Sequence, residues 1–275
     1  MSDRRLYRLT SIGRPLDPAW PTNRAVIRLL PVAAAVGAAA YGLRDGLDAG
    51  LLWAAASAAL AAFGAWALAR ELGPDHDRAA FAAMALALGT LLALDGAPLL
   101  PLFVALFLVR IVNRSVGLPA RIGDSVLVAA LAVAAAWAFG NPWSAFIGGV
   151  AFLLDATQPP ELPRQRWFAA ACAVVGVLIF KAHAPGDTVA LAGWSRWLPL
   201  VIGGGFMIVI LATRRVESVG DATEETLSLT RVRAGMWIGL FVAAQSLLAG
   251  PAAVREVALV WATLAGMLAQ RPRWR

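Results

Sequence analysis

The sequence predicts an all-α polytopic membrane protein of about ten helices, and three observations carry that prediction. Of its 275 residues, 60% are apolar and 15% charged, against roughly 25% charged in a soluble domain. Mean hydropathy is +0.69. The remaining charges gather between apolar runs of the kind read as spans. These runs lie at 24–43, 50–69, 79–94, 98–112, 124–140, 142–155, 167–183, 197–213, 233–249 and 251–269. No polar stretch suffices for a second unit, so 24–270 is expected to be a single transmembrane helical domain behind a tail at 1–23.

The tail carries Pro15, Pro18 and Pro21 with Arg4, Arg5, Arg8 and Arg14. Such spacing predicts irregular chain lying on an anionic leaflet. The first apolar run follows more than 20 polar residues, which is not the pattern of a cleavable signal.

Six of the runs form three pairs, 79–112, 124–155 and 233–269, each divided at its middle. As one helix, 79–109 would be ~46 Å long, well beyond a hydrocarbon core of ~30 Å. The dividers are Asp95-Gly96-Ala97-Pro98, Gly140-Asn141-Pro142 and Gly250-Pro251. These are turn sequences, so each pair is expected to be a tight helical hairpin. Runs of 15 or 16 residues give only ~23 Å and must extend into the interface or thin the bilayer.

Ten spans place both termini and the segments 70–78, 110–123, 156–166 and 214–232 on one side. Of the 24 basic residues, all but Arg44, Lys181, Arg196 and Arg255 then fall on or next to that side. The positive-inside rule makes it the cytoplasmic face of an inner membrane. Trp20, Trp137, Trp143, Trp167, Trp194, Trp197 and Trp274 stand near run ends, as interfacial anchors do. Trp53, Trp66, Trp237 and Trp261 lie deeper and are expected to pack.

Residues 81–98 align without gaps on 168–185, and a Leu-Pro-Leu and a Ser-Val-Gly recur after each. A parallel four-plus-four repeat follows, 79–155 with 167–269, after two leading helices. Shared alanine-rich composition explains the same likeness more plainly.

Net charge is +7, but the arginines sit at run ends and not in a patch interleaved with aromatics, so nucleic acid is not an expected partner. Cys172 is the one cysteine, which rules out an intrachain disulfide. His76 and His183 have no ligand spacing, and no metal site is assigned. Asp75 and Asp77 are oxygen donors of the type Mg²⁺ takes. Pro74 ahead of them favours a simpler role as acids in a helix's first turn.

Two inner segments hold the candidate binding residues. One carries Arg110, Asn113, Arg114, Arg121 and Asp124, suited to a phosphate or lipid headgroup beside a helix N-terminus. The other carries Glu217, Asp221 and Glu225 at spacing i, i+4, i+8, one face of a helix if Gly220 does not interrupt it. If the repeat holds, the two segments face each other, with Arg110, Arg114 and Arg121 opposite the three acids. Orientation of spans and a wet, self-paired loop are the plainer roles. Within the runs, Gln245 is the main polar group and no carboxylate lies deep, which disfavours ion-coupled transport.

Ten spans with both termini inside resemble the drug/metabolite transporter superfamily in topology alone. That resemblance implies inverted five-plus-five repeats, unlike the four-plus-four copy. The segment 219–235, VGDATEETLSLTRVRAG, resembles the second acidic motif of intramembrane prenyltransferases of the UbiA type, implying Mg²⁺-bound diphosphate. The paired Asp-x-x-x-Asp signature is missing here, and 110–124 holds a single acid, Asp124. The leading expectation is therefore binding or transport of a lipid-like or amphipathic small molecule at the cytoplasmic side, with the bilayer and an anionic lipid as partners. A prenyltransferase-like enzyme and a structural subunit of a membrane complex are the alternatives.

Overall fold

A computed structural model describes residues 7, 9–183 and 193–269. The described residues are all-α, with one isolated antiparallel bridge, Val219 to Thr226, and no strand. The helices are α1 (Pro21–Asp45), α2 (Gly50–Leu72), α3 (Asp77–Ala93), α4 (Leu100–Asn113), α5 (Ile122–Ala138), α6 (Trp143–Thr157), α7 (Gln165–Ala182), α8 (Trp194–Ala212), α9 (Leu229–Ala244), α10 (Ser246–Ala249), α11 (Pro251–Glu256) and α12 (Ala258–Met267). Every apolar run is helical, the last two being divided among α9 to α12.

Four stretches are long and apolar enough to cross a membrane: Pro21–Asp45, Gly50–Leu72, Gln165–Ala182 and Leu229–Ala249. Leu100–Asn113, Ile122–Ala138, Trp143–Thr157, Arg196–Ala212 and Ala258–Met267 are shorter apolar helices.

The breaks fall where the sequence predicts them. Gly96 (φ +96°) and Gly250 (φ +96°) take a left-handed backbone that a side chain would strain. Pro101 and Pro251 open α4 and α11, where no intrahelical N–H is needed. The hairpins are not all tight, however. α5 packs on α6, whereas α3 leaves α4 to pack on α2 and α12. The reason is local: Gly266 of α12 has no Cβ, and its surface meets the α3 backbone at Ala83.

α2, α4 and α9 form the centre, and Leu68, Leu72, Leu102, Leu106, Ile111, Met236 and Ile238 fill it. α1, α7 and α8 lie outside and present apolar side chains outward, among them Val32, Val177, Val201 and Ile208. Trp20, Trp137, Trp143, Trp167 and Trp197 are exposed, and Trp66 and Trp261 are buried. Trp53 departs from expectation. It is 72% exposed, because α2 reaches the core only from Ala58 onward.

The internal copy has a partial counterpart in packing. α3 lies on α12 and, in the matching place, α7 lies on α6. But α4 packs on α9 while α8 and α5 make no comparable contact. Gly89 faces open space, whereas its match Gly176 lies against Phe146. Pro185, the match of Pro98, is outside the described residues.

Candidate functional site: a polar network at the arginine-rich end

Helices α2, α4, α6 and α8 end, and α3, α5, α7 and α9 begin, at one end of the bundle. Chain reversal alone therefore collects the arginines there. Glu71 and Asp155 organise them, and Asp124 and Asp75 tie neighbouring segments to the same end.

Glu71, in the last turn of α2, is 1% exposed. Its Oε1 accepts from Arg110 Nε at 3.0 Å and from Arg14 Nη1 at 3.2 Å. Arg14 also grips the Asp221 carboxylate with two hydrogen bonds, 2.6 and 2.8 Å. Burial opposes the charge on Arg14, but Glu71 and Asp221 outweigh it and hold the guanidinium more firmly protonated than usual.

Asp155, near the end of α6, is fully buried. Its Oδ1 accepts from Arg114 Nε at 2.7 Å and Arg231 Nη1 at 2.9 Å, and its Oδ2 accepts from Gln165 Nε2 at 3.0 Å. The two guanidinium groups spend their other protons on main-chain carbonyls. Arg114 Nη1 reaches Pro160 O, while Arg231 reaches Val112 O, Gln158 O and Pro159 O. A buried arginine pair around one carboxylate would be costly without such donors and acceptors. Here they are supplied by the ends of α4 and α6.

Asp124 opens α5 and takes the tail. Its Oδ1 accepts from Thr10 Oγ1 at 2.7 Å, its Oδ2 from Ser11 N at 2.7 Å and Ser11 Oγ at 2.6 Å. Arg110 Nη1 donates to Ile12 O at 2.8 Å, and Arg121 Nη2 to Tyr7 O at 2.9 Å. Residues 10–14 thus form a strap across α2, α4 and α5, with its own Ser11 and Ile12 buried against the helices.

Asp75 does not cap α3. Its two oxygens accept from Glu217 N, Ser218 N and Ser218 Oγ at 2.6–2.9 Å, tying 213–228 to the α2–α3 turn. Asp77 does lie in the first turn of α3, paired with Arg70.

The segment with Glu217, Asp221 and Glu225 is no helix. It folds back at Gly220 through Gly220 N to Glu225 O, 2.8 Å, beside the Val219–Thr226 bridge. The three acids therefore share no helical face. Glu217 pairs with Arg215 at the surface, Asp221 with Arg14, and Glu225 is exposed. The two inner segments are indeed neighbours, since Ala222 N donates to Val116 O at 2.9 Å. Their charges do not pair across the contact. Arg110, Arg114 and Arg121 are engaged by Glu71, Asp155 and Tyr7 O instead. Asn113 is buried, its Nδ2 on Glu71 O at 2.7 Å and its Oδ1 turned to Gly235 without a donor.

Glu71, Asp155 and Arg14 are the organising residues that loop composition did not single out. One signal was available: an acid at the end of an apolar run is held by a partner more often than by water. Among the described residues, no three His, Cys, Asp or Glu side chains converge as a metal site would require. Compared with known proteins, the chain matches no family model, no curated protein and no solved structure.

Proposed function

We propose that this chain is a ten-span integral membrane protein, both termini cytoplasmic, that binds an anionic amphiphile beneath its N-terminal strap. The observation carrying this reading is Arg14, which bridges Glu71 and Asp221 from the tail side and is 24% exposed. It is the point at which an incoming phosphate or carboxylate reaches the network first. An anionic headgroup offers the arginines the same bidentate geometry as Asp221, so the two compete. Transport would follow if headgroup capture freed the strap, whose anchors lie on four different elements. The prenyltransferase alternative draws little support from the acids, since Glu71, Asp155 and Asp221 are taken by arginines and Asp124 and Asp75 by serine, threonine and main-chain N–H groups. A structural subunit remains the second reading, favoured by α8, which packs on α9 and α12 and exposes Trp197, Val201 and Leu211.

The test is binding to purified protein of a long-chain monoalkyl phosphate and its uncharged alcohol. The phosphate is expected to bind saturably, and Asp221→Asn to tighten it by removing the competing carboxylate. Equal binding of phosphate and alcohol by both proteins would reject the reading.

A further inference from the structure

The opposite end of the bundle carries a feature that the arginine network does not explain. The α3–α4 turn and α11 flank an open cleft of about 440 Å³, lined by Gly96, Ala97, Pro98, Ala252, Arg255 and Glu256. The cleft keeps its shape through two ties. Arg255 Nη2 donates to Leu94 O at 2.7 Å, and Asp95 at the rim is paired with Arg44 at the end of α1. Gly96 adds no bulk, and a Cβ there would meet nothing within 4 Å.

Two opposite charges line this space without meeting. Arg255 and Glu256 are adjacent in sequence, yet neither forms an ion pair with the other or with any described residue. Arg255 is exposed, and among the described residues only its Nη2 is engaged. Glu256 is partly buried, with no hydrogen-bond partner among the described residues. A carboxylate drawn partly out of water without a partner costs stability, and a bound ammonium group would offset that cost. The neighbouring acid, Asp95, is already taken by Arg44, which leaves Glu256 as the carboxylate in the cleft with no partner among the described residues. An anion alone would satisfy Arg255 and repel from Glu256; a cation alone would do the reverse.

We propose that this cleft binds a zwitterion, its anionic group on Arg255 and its ammonium group on Glu256. Phosphoethanolamine has this chemistry, either free or as a lipid headgroup at the outer surface. The cleft lies at the other end of the bundle from the strap, so its failure would leave the reading above untouched.

The test uses the full chain in a non-ionic detergent and reads the thermal midpoint. Titrants are phosphoethanolamine, ethyl phosphate, phosphatidylethanolamine and phosphatidylglycerol. At least one ethanolamine compound is expected to raise the midpoint more than its anionic counterpart. A response to the lipid alone assigns a headgroup site, and a response to both assigns a site for the free zwitterion as well. Glu256→Gln is expected to weaken the ethanolamine compound roughly tenfold or more, the loss of one charge-assisted contact, and to abolish its advantage. Ala252→Trp, which fills the cleft while leaving both charged residues in the sequence, is expected to do the same. Should ethanolamine and anionic compounds act alike on the native chain, or should either variant keep the discrimination, the zwitterion site is rejected.

Discussion

Arg110 and Arg114 stand one turn apart at the end of α4 and reach acids on different helices. Arg110 Nε donates to Glu71 of α2 at 3.0 Å, and Arg114 Nε to Asp155 of α6 at 2.7 Å. The divergence is set by backbone. Arg114 takes φ +50°, ψ +48°, while its N–H still closes on Arg110 O at 3.0 Å. A left-handed conformation costs a non-glycine residue ~1–2 kcal/mol, here offset by three hydrogen bonds from the redirected guanidinium. One helix terminus thereby fastens two neighbours.

Asp155 is the acid whose loss should matter most for stability. Asp155→Ala leaves Arg114 and Arg231 buried and uncompensated, which costs about 3–5 kcal/mol. Unfolding of the purified protein in detergent is expected to show that loss. Asp221→Asn, at an exposed pair, is expected to cost no more than ~1 kcal/mol.

Glu71→Gln should release the strap while leaving the bundle folded. Ile12 is 4% exposed beneath Arg110. A cysteine at position 12, with Cys172 replaced, is expected to be slow to label in the native background and fast after Glu71→Gln. Equal rates in the two backgrounds would mean that Glu71 does not hold the tail.

Two glycines should respond in opposite directions. A Cβ at Gly235 would overlap Asn113 Oδ1 and force α9 from α4, whereas Gly89 faces open space. Gly235→Ala is expected to destabilise by about 1–3 kcal/mol. Gly89→Ala is expected to stabilise by about 0.5–1 kcal/mol through helix propensity. Melting curves of the two variants check the contrast.

Orientation is tested by impermeant thiol labelling of intact cells. Cysteines at Gly96 and Ser228, each in a Cys172→Ala background, are expected to label from outside only at position 96. Labelling at both positions, or at 228 alone, would break the ten-span arrangement.

Much of the fold was legible because it rests on local chemistry. Gly96, Gly140 and Gly250 are turn residues wherever they fall between apolar runs, and each of them does adopt positive φ. The two inner segments are neighbours at Ser115–Val116 and Asp221–Ala222, but the internal copy does not account for it, since α4 packs on α9 while α8 and α5 make no comparable contact. Partner choice was not legible either. Asp155 and Arg231 are 76 residues apart, and Arg14 and Asp221 are 207 apart. Charge counts cannot say which arginine finds which acid, because helix ends decide that in three dimensions. Glu71 was hidden for the same reason: beside Arg70 it reads as one more loop charge, yet the α2 helix runs on to Leu72 and carries it inside. The helix pattern of Glu217, Asp221 and Glu225 failed at Gly220, where close contact with Gly117 requires the chain to fold back.

The strap also sets an order of assembly during synthesis. Arg14 leaves the ribosome long before Asp221, and its first partner, Glu71, follows by 57 residues. At translation rates of ~5–20 residues per second, Arg14 waits roughly 10–40 s for the full set of contacts. Thr10 and Ser11 likewise wait for Asp124, more than 110 residues on. The strap therefore closes only after Asp221 has been made, long after its own residues. Closure of the strap thus reports that the 213–228 segment has been made and has folded back onto α2 and α4.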